Sequence, residues 1–250
     1  MYKESISTNN LTIGYQNTRG GDPTIIQRNL SFSLHAGEMV CMLGPNGCGK
    51  STLLRTLAGL QEAVSSEKGV QSSEYGVQSN ENTIALVLTE RLSMENTTVH
   101  DVVALGRYPY TSFLGGLSAE DEQVISQALA DVGLAEDSNT FFNDHSDGEK
   151  QRVLIAKAIA QQTPIILLDE PTAHLDLPNR IKILQLLRRL AHEQGKTILI
   201  STHELELAIQ LADRILLMSE GGIELDEAQK LRAKGAFTQS FGMDIFNPFA

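Results

Sequence analysis

Residues Gly44, Pro45, Asn46, Gly47, Cys48, Gly49, Lys50, Ser51 and Thr52 have the types and spacing of a loop that holds a polyphosphate. Glycine lets the backbone turn sharply and come close to an anion, so that its N–H groups point at phosphate oxygens. Lys50 adds a point charge for the terminal phosphates, and the adjacent Ser51 hydroxyl is placed to ligate Mg²⁺. The helix opened by Ser51 aims the positive end of its dipole at the same anion. The flanks agree. An apolar run over 39–43 precedes the loop, and Leu53, Leu54, Leu57, Ala58 and Leu60 fall on one face of the helix that follows.

Other groups could act on a phosphate held there. The apolar run 165–168 ends in Asp169 and Glu170, the pattern of a central parallel strand delivering two carboxylates at its carboxyl end. Ligands of open α/β sheets bind at that edge. The strand over 197–201 is followed by His203, which brings an imidazole to the same edge. Alone, such a histidine is usually structural and two such acids merely start a loop; with a phosphate loop upstream, the functional reading is favoured. Ser146, Asp147, Gly148 and Glu149 open another helix, Ser146 as its cap and Glu149 closing a capping box. Tyr15 stands at a strand end, where an aromatic ring either stacks on an adenine or simply packs. Cys48 lies near a helix N-terminus, which lowers a thiol's pKa, yet a small residue in a crowded loop is the stronger reading. We assign it no catalytic role.

A scaffold must bring these side chains together. Residues 11–15, and the alternation of Leu30, Phe32 and Leu34 with Ser31 and Ser33, predict an antiparallel piece interrupted by a breaker over 19–23. Residues 84–88 predict a buried strand, and residues 64–82 a loop or weak edge hairpin. Helical spacing then runs from Thr98 through Val99, Val102, Val103 and Leu105. A capping start at Ser118 leads through Val124, Ile125, Ala128, Leu129 and Val132 to Gly133. Between them, the aromatic and glycine-rich link 107–116 suits a partner-facing surface or an ordinary packed loop. A helix over 178–193, with Ile181, Leu184, Leu187 and Leu190 inward, stops at Gly195. Helical Leu205, Leu207, Ala208 and Leu211, the run 215–218 and a Gly221-Gly222 turn complete the alternation; beyond Phe237 there is no pattern. The sum is a mainly parallel α/β core interrupted by a helical insertion.

With 250 residues, 41% of them hydrophobic, the chain can bury a full core. A net charge of −11 argues against a binder of nucleic-acid backbones, whose affinity comes from Lys and Arg. The small basic cluster of Lys150 and Arg152 reads as a solvated helix face. The two cysteines, Cys41 and Cys48, have neither metal-ligand spacing nor reason to pair, which fits a reducing compartment. The first residues lack a signal-peptide core and no run reaches the length of a membrane span, so any membrane involvement is expected through another subunit.

With the phosphate loop, the Ser146 helix start, Asp169-Glu170 and His203 in this order, the chain resembles the ATP-binding subunit of an ABC transporter over nearly its whole length. Residues 44–52 match the Walker A loop and 165–170 Walker B; Ala173, His174, Leu175 and Asp176 resemble the D-loop, and His203 the switch histidine. Tyr15 falls where the adenine-stacking aromatic sits. Within the family, residues 99–121 are similar to importers for iron-siderophore, haem or cobalamin. Two motifs depart from the pattern. The signature Leu-Ser-Gly-Gly-Gln/Glu stands here as His145, Ser146, Asp147, Gly148 and Glu149, and Thr89 replaces the glutamine expected after the 84–88 strand.

The resemblance implies an α/β P-loop NTPase fold in a single ABC ATPase domain over 1–250. Its RecA-like core would comprise 1–88 and 161–250, with an N-terminal antiparallel β piece and a helical subdomain over about 89–160. It implies ATP and Mg²⁺ as ligands. Lys50 would hold the β- and γ-phosphates, Ser51 and Asp169 the Mg²⁺, Glu170 the attacking water and His203 the γ-phosphate. A second copy would pair head to tail, bringing Ser146, Gly148 and Asp176 to the nucleotide. Implied partners are integral-membrane permease subunits and, through them, a substrate-binding protein, with no nucleic acid. The implied place is the cytoplasmic face of the inner membrane, as a peripheral protein. A soluble ABC ATPase acting on DNA or ribosomes is disfavoured by the acidic charge and the lack of a coiled-coil insertion. A regulatory subunit that only binds nucleotide is disfavoured by the retained Lys50, Asp169, Glu170 and His203.

Overall fold

The computed structural model describes residues 4–17, 21–64, 84–88, 94–111 and 116–242. The readings for 65–82, for Thr89 and for the middle of the 107–116 link lie outside them. Two long strands, β1 (Glu4–Tyr15) and β2 (Thr24–His35), form an antiparallel pair in which Tyr15 faces Thr24. Both are longer than their apolar alternation predicted, because polar Thr8 and Gln27 fill buried positions in the added halves, where each is hydrogen-bonded.

The second sheet contains β3 (Met39–Leu43), β4 (Ile84–Val87), β5 (Ile165–Asp169), β6 (Thr197–Ser201), β7 (Arg214–Ser219) and β8 (Gly222–Asp226). Their spatial order is β4-β5-β6-β3-β7-β8, parallel except for β8. Every residue of β3, β5 and β6 is buried, which is why these strands read as unbroken apolar runs. Alternate residues serve opposite faces. Val40, Met42, Leu167 and Leu199 pack with Ile13 and Leu30 of the hairpin and with Leu53 and Leu57 of α1 (Lys50–Leu57). Cys41, Ile166, Leu168 and Ile200 face the remaining helices. Each large side chain so buried contributes about 1.5–3 kcal/mol.

Those helices are α2 (Val99–Ala104), α3 (Ala119–Asp131), α4 (Asp147–Ala160), α5 (Leu177–Gln194), α6 (Leu205–Leu211), α7 (Ala228–Ala233) and α8 (Ala236–Phe241). The last two follow the Gly221-Gly222 turn, where the sequence pattern predicts no helix, and are anchored by buried Leu231 and Phe237; only the end of α8 lies beyond Phe237. Capping boxes start α2 (Thr98 with Asp101), α3 (Ser118 with Asp121) and α4 (Ser146 with Glu149). Asp176 caps α5, and Gly195, at φ 67°, ends it. Among the described residues, no helix is long and apolar enough to cross a membrane.

Helix α2 stops one residue before Leu105, which is exposed rather than inward. A tight 3₁₀ turn (Leu105–Tyr110) takes over, because the chain crosses α4 at Gly106, where a Cβ would lie 2.3 Å from the Lys157 carbonyl oxygen. Arg107 is buried behind it. Its Nε meets Asp121 Oδ1 at 2.8 Å, and Nη1 donates to the Ala160 carbonyl at 2.9 Å and to Gln162 Oε1 at 2.7 Å. The guanidinium also lies 3.9 Å from the Tyr110 ring centroid. Arg152 is likewise no solvated face: its Nη1 bonds the Val132 carbonyl at the end of α3 at 3.1 Å.

Candidate functional site

Strand register assembles the site. Met42 of β3 and Asp169 of β5 both pair with Ser201 of β6, so the loop after β3, the acids after β5 and the residues after β6 leave one edge side by side. At Gly44 a Cβ would lie 2.5 Å from the Met218 carbonyl oxygen, so β7 leaves room for glycine alone. Gly49, at φ 104°, caps α1, which starts at Lys50, one residue earlier than the sequence suggests. Lys50 is 7% exposed and its Nζ donates to the carbonyls of Gly44 at 2.8 Å and Pro45 at 3.2 Å. The Ser51 side of the helix is exposed. Thr52 is buried with its Oγ1 3.2 Å from the hydroxyl of Tyr15, which fastens a half-exposed tyrosine beside the loop.

Cys48 is buried, and burial pushes its thiol up, against the opposing pull of Lys50. Desolvation thus outweighs the helix terminus, opposite to the direction expected from position alone. Cys41, inside the sheet, is pushed up to about 12 by burial and then by the charge of Asp213. Both shifts run against thiolate formation.

The Asp169 carboxylate and the Glu170 backbone are held by a residue that sequence reasoning missed. Ser201 Oγ donates to Asp169 Oδ1 at 2.6 Å and accepts the Glu170 N–H at 2.9 Å. Glu170 has φ 46°, a left-handed backbone uncommon outside glycine, costing about 1–3 kcal/mol. That turn is fixed further by its N–H bond to the Ser201 carbonyl at 3.1 Å. The Glu170 carboxylate meets His203 Nε2 at 2.5 Å, with the two side chains 32% and 46% exposed. Gln27 is a second missed residue, its Nε2 bonding the carbonyls of Cys48 and Ser219 and so tying the loop to β7. The only sequence signal for Ser201 was its place at the end of an apolar strand; Gln27 had none.

Ser146, Gly148 and Asp176 form a separate group. Ser146 is exposed, its Oγ 2.8 Å from Glu149 Oε2. Gly148 is buried and closely packed, since a Cβ would lie 3.0 Å from Cγ of the Asn179 side chain, which would have to give way. Asp176 accepts the Asn179 N–H at 3.2 Å, so Asn179 joins the two segments into one surface.

The Ser51 hydroxyl and the Asp169 carboxylate are hard oxygen donors beside a phosphate loop, the set that suits Mg²⁺ shared with substrate phosphates. No group of three His, Cys, Asp or Glu able to hold a metal occurs among the described residues.

A family model for ABC transporters matches residues 27–173. The iron(3+)-hydroxamate import ATP-binding protein FhuC of Bacillus subtilis is 37% identical over 224 residues, covering 88% of this chain and 80% of that protein. A solved metal-chelate type ABC transporter in an inward-facing conformation superposes with a TM-score of 0.83 at 30% identity, over 96% of this chain and 90% of the other. The ATP-binding cassette MJ0796, solved as a dimer in a post-hydrolysis state with ADP and Pi, superposes with a TM-score of 0.70 at 27% identity, over 89% and 98%. Taken with a phosphate loop, paired carboxylates and a histidine on one sheet edge, these likenesses establish that the chain belongs to the ABC transporter family, as one of its ATP-hydrolysing subunits.

Proposed function

We propose that this chain is the energy-coupling ATPase of an importer for a metal chelate of the iron-siderophore, haem or cobalamin class. The observation that carries the chemistry is the Glu170 carboxylate, faced by His203 just after β5 and beside the loop of Lys50, on a backbone whose N–H is fixed by Ser201. The similarity to FhuC and to a metal-chelate type transporter supports the class of cargo.

In this reading the N–H groups of 44–52 cradle the ATP phosphates, and Lys50 turns from its carbonyl partners to the β- and γ-phosphates. Tyr15 stacks on the adenine. Glu170 orients and polarises the attacking water; His203, now paired with Glu170, reaches the γ-phosphate. Mg²⁺, when bound by Ser51 and Asp169, neutralises charge on the phosphate oxygens. Ser201 keeps Asp169 and Glu170 at fixed separation, so the work is positioning and electrostatics.

The solved MJ0796 dimer supports pairing of two copies. We place them head to tail, with Ser146, Gly148 and Asp176 of one copy against the nucleotide of the other. Residues 1–88 and 161–250 serve as the RecA-like core and about 89–160 as the helical subdomain facing permease subunits. A substrate-binding protein delivers the chelate, and the subunit works at the cytoplasmic face of the inner membrane. The test is ATP turnover and metal-chelate uptake by the reconstituted transporter, with Glu170→Gln as comparison. Loss of both in the variant is expected; unchanged turnover removes Glu170 from the mechanism.

A further inference from the structure

We infer that His145 is a positioning residue for the Ser146 segment, acting through a ring protonated on both nitrogens, so that ATP-dependent pairing of two copies weakens as this ring loses its proton. The inference rests on the proposed role of Ser146 across the dimer. His145 occupies a position where the family pattern has leucine, so a titratable anchor stands in place of an apolar one.

The hydrogen bonds determine where the ring's protons sit. Thr140 Oγ has one hydrogen, and it goes to the Asp137 carbonyl at 2.6 Å, which can only accept. The 2.6 Å contact between Thr140 Oγ1 and His145 Nε2 therefore has the ring as donor. The other nitrogen, Nδ1, lies 3.6 Å from Glu149 Oε2, and the side chain is only 9% exposed. A neutral ring protonated on Nε2 turns a bare lone pair toward that carboxylate. An imidazolium turns an N–H and a positive charge toward it instead, at ion-pair rather than hydrogen-bond distance.

The atom that meets the ring is also the atom that sets the signature serine. Glu149 Oε2 accepts from Ser146 Oγ at 2.8 Å and from Ser146 N–H at 3.0 Å. The Ser146 hydroxyl and then its N–H hold the Glu149 carboxyl below the usual range, with smaller help from His145 and Arg152, so Glu149 is an anion. Deprotonating His145 sets a lone pair against this anion and loosens the capping contact that orients Ser146.

Other charges nearby are Arg152 on α4, 3.8 Å from Glu149 Oε1, the exposed Asp144 and the part-exposed Asp137 in the preceding turns, and His100 and Asp101 on α2. The backbone N–H of His100 bonds the Ser138 carbonyl beside Thr140. Among the described residues, Glu149 is the carboxylate within ion-pair distance of the His145 ring.

Two measurements test this. Nitrogen-15 NMR of the imidazoles in the full chain, assigned with His145→Leu, should find Nε2 of His145 protonated throughout about pH 5 to 8. A neutral ring with its proton on Nδ1 would overturn the inference. In a Glu170→Gln background, sedimentation with ATP should show dimerisation falling several-fold across the same range. His145→Leu and Glu149→Gln, which keeps an amide able to cap, should flatten that dependence beyond the ionisation of ATP itself. Equal pH dependence in parent and both variants would sink the inference. A parent that binds ATP yet forms no dimer at any pH would instead remove the role of Ser146, and the inference with it.

Discussion

His203 Nε2 lies 2.5 Å from Oε1 of Glu170, so the two side chains proposed to act on the γ-phosphate and its attacking water are each other's partners. Replacing Glu170 by Gln preserves shape and removes the carboxylate. Turnover should fall roughly 10²–10⁴-fold, the usual share of a general base. Nucleotide affinity should hold, because among the described residues the hydrogen bonds and ion pair of Glu170 go to Ser201, Ala173 and His203 and not to the phosphate loop. Equilibrium binding of a fluorescent ATP analogue beside steady-state turnover separates the two quantities.

Lys50→Ala should act on affinity instead. The ammonium is almost buried and already turned to loop carbonyls, so its loss removes a charge-assisted contact in a dry place. About 1.5–3 kcal/mol is expected, roughly a 10- to 100-fold weaker Kd for ATP. Calorimetric titration reads it, and an unchanged Kd would show that Lys50 faces no phosphate.

Acid stability should depend on Asp121. The Ser118 hydroxyl and N–H, and then Arg107, hold its carboxyl down at about 2 from an ordinary 3.8. A depressed folded-state value contributes stability that is complete above the ordinary carboxylate range and is lost as pH falls toward about 2. Asp121→Asn should therefore flatten the decline of urea-unfolding stability between about pH 4 and 2. A slope equal to the parent's would mean that the carboxyl is not perturbed.

Asp147 opens α4 beside Ser146 and is exposed. Its carboxylate favours the helix dipole by about 0.3–1 kcal/mol, but the partner's ATP would meet it as a like charge. Asp147→Gly should lower the Tm of the single subunit slightly while tightening ATP-dependent dimerisation in a Glu170→Gln background. Sedimentation at several salt concentrations checks it. Equal or weaker pairing would show that Asp147 donates a needed contact.

What the chain discloses in its letters depends on how local the cause is. Strands β3, β5 and β6 were legible because burial on both faces demands unbroken apolar runs, and the loop because only certain residues can wrap a phosphate. The caps of α3 and α4 are written within four residues. Ser201 was not legible: its bridge depends on two strands, 32 positions apart at the bonded atoms, lying in one register. Arg107 was hidden for the same reason, since Asp121 and Ala160 come from different helices. The break after α2 escaped because helical spacing at Leu105 is silent about the backbone of α4 beneath Gly106.

The same arginine gives the 3₁₀ turn a mechanical character. Its root is clamped to the last carbonyl of α4, while Tyr108 at its crest is 76% exposed. The crest and the carboxyl end of α4 are tied through one buried guanidinium. That helix is a stiff rod of about 20 Å at 1.5 Å per residue, and its opposite end carries Ser146. Turn and helix thus form a lever whose two ends are a bare tyrosine and the signature serine.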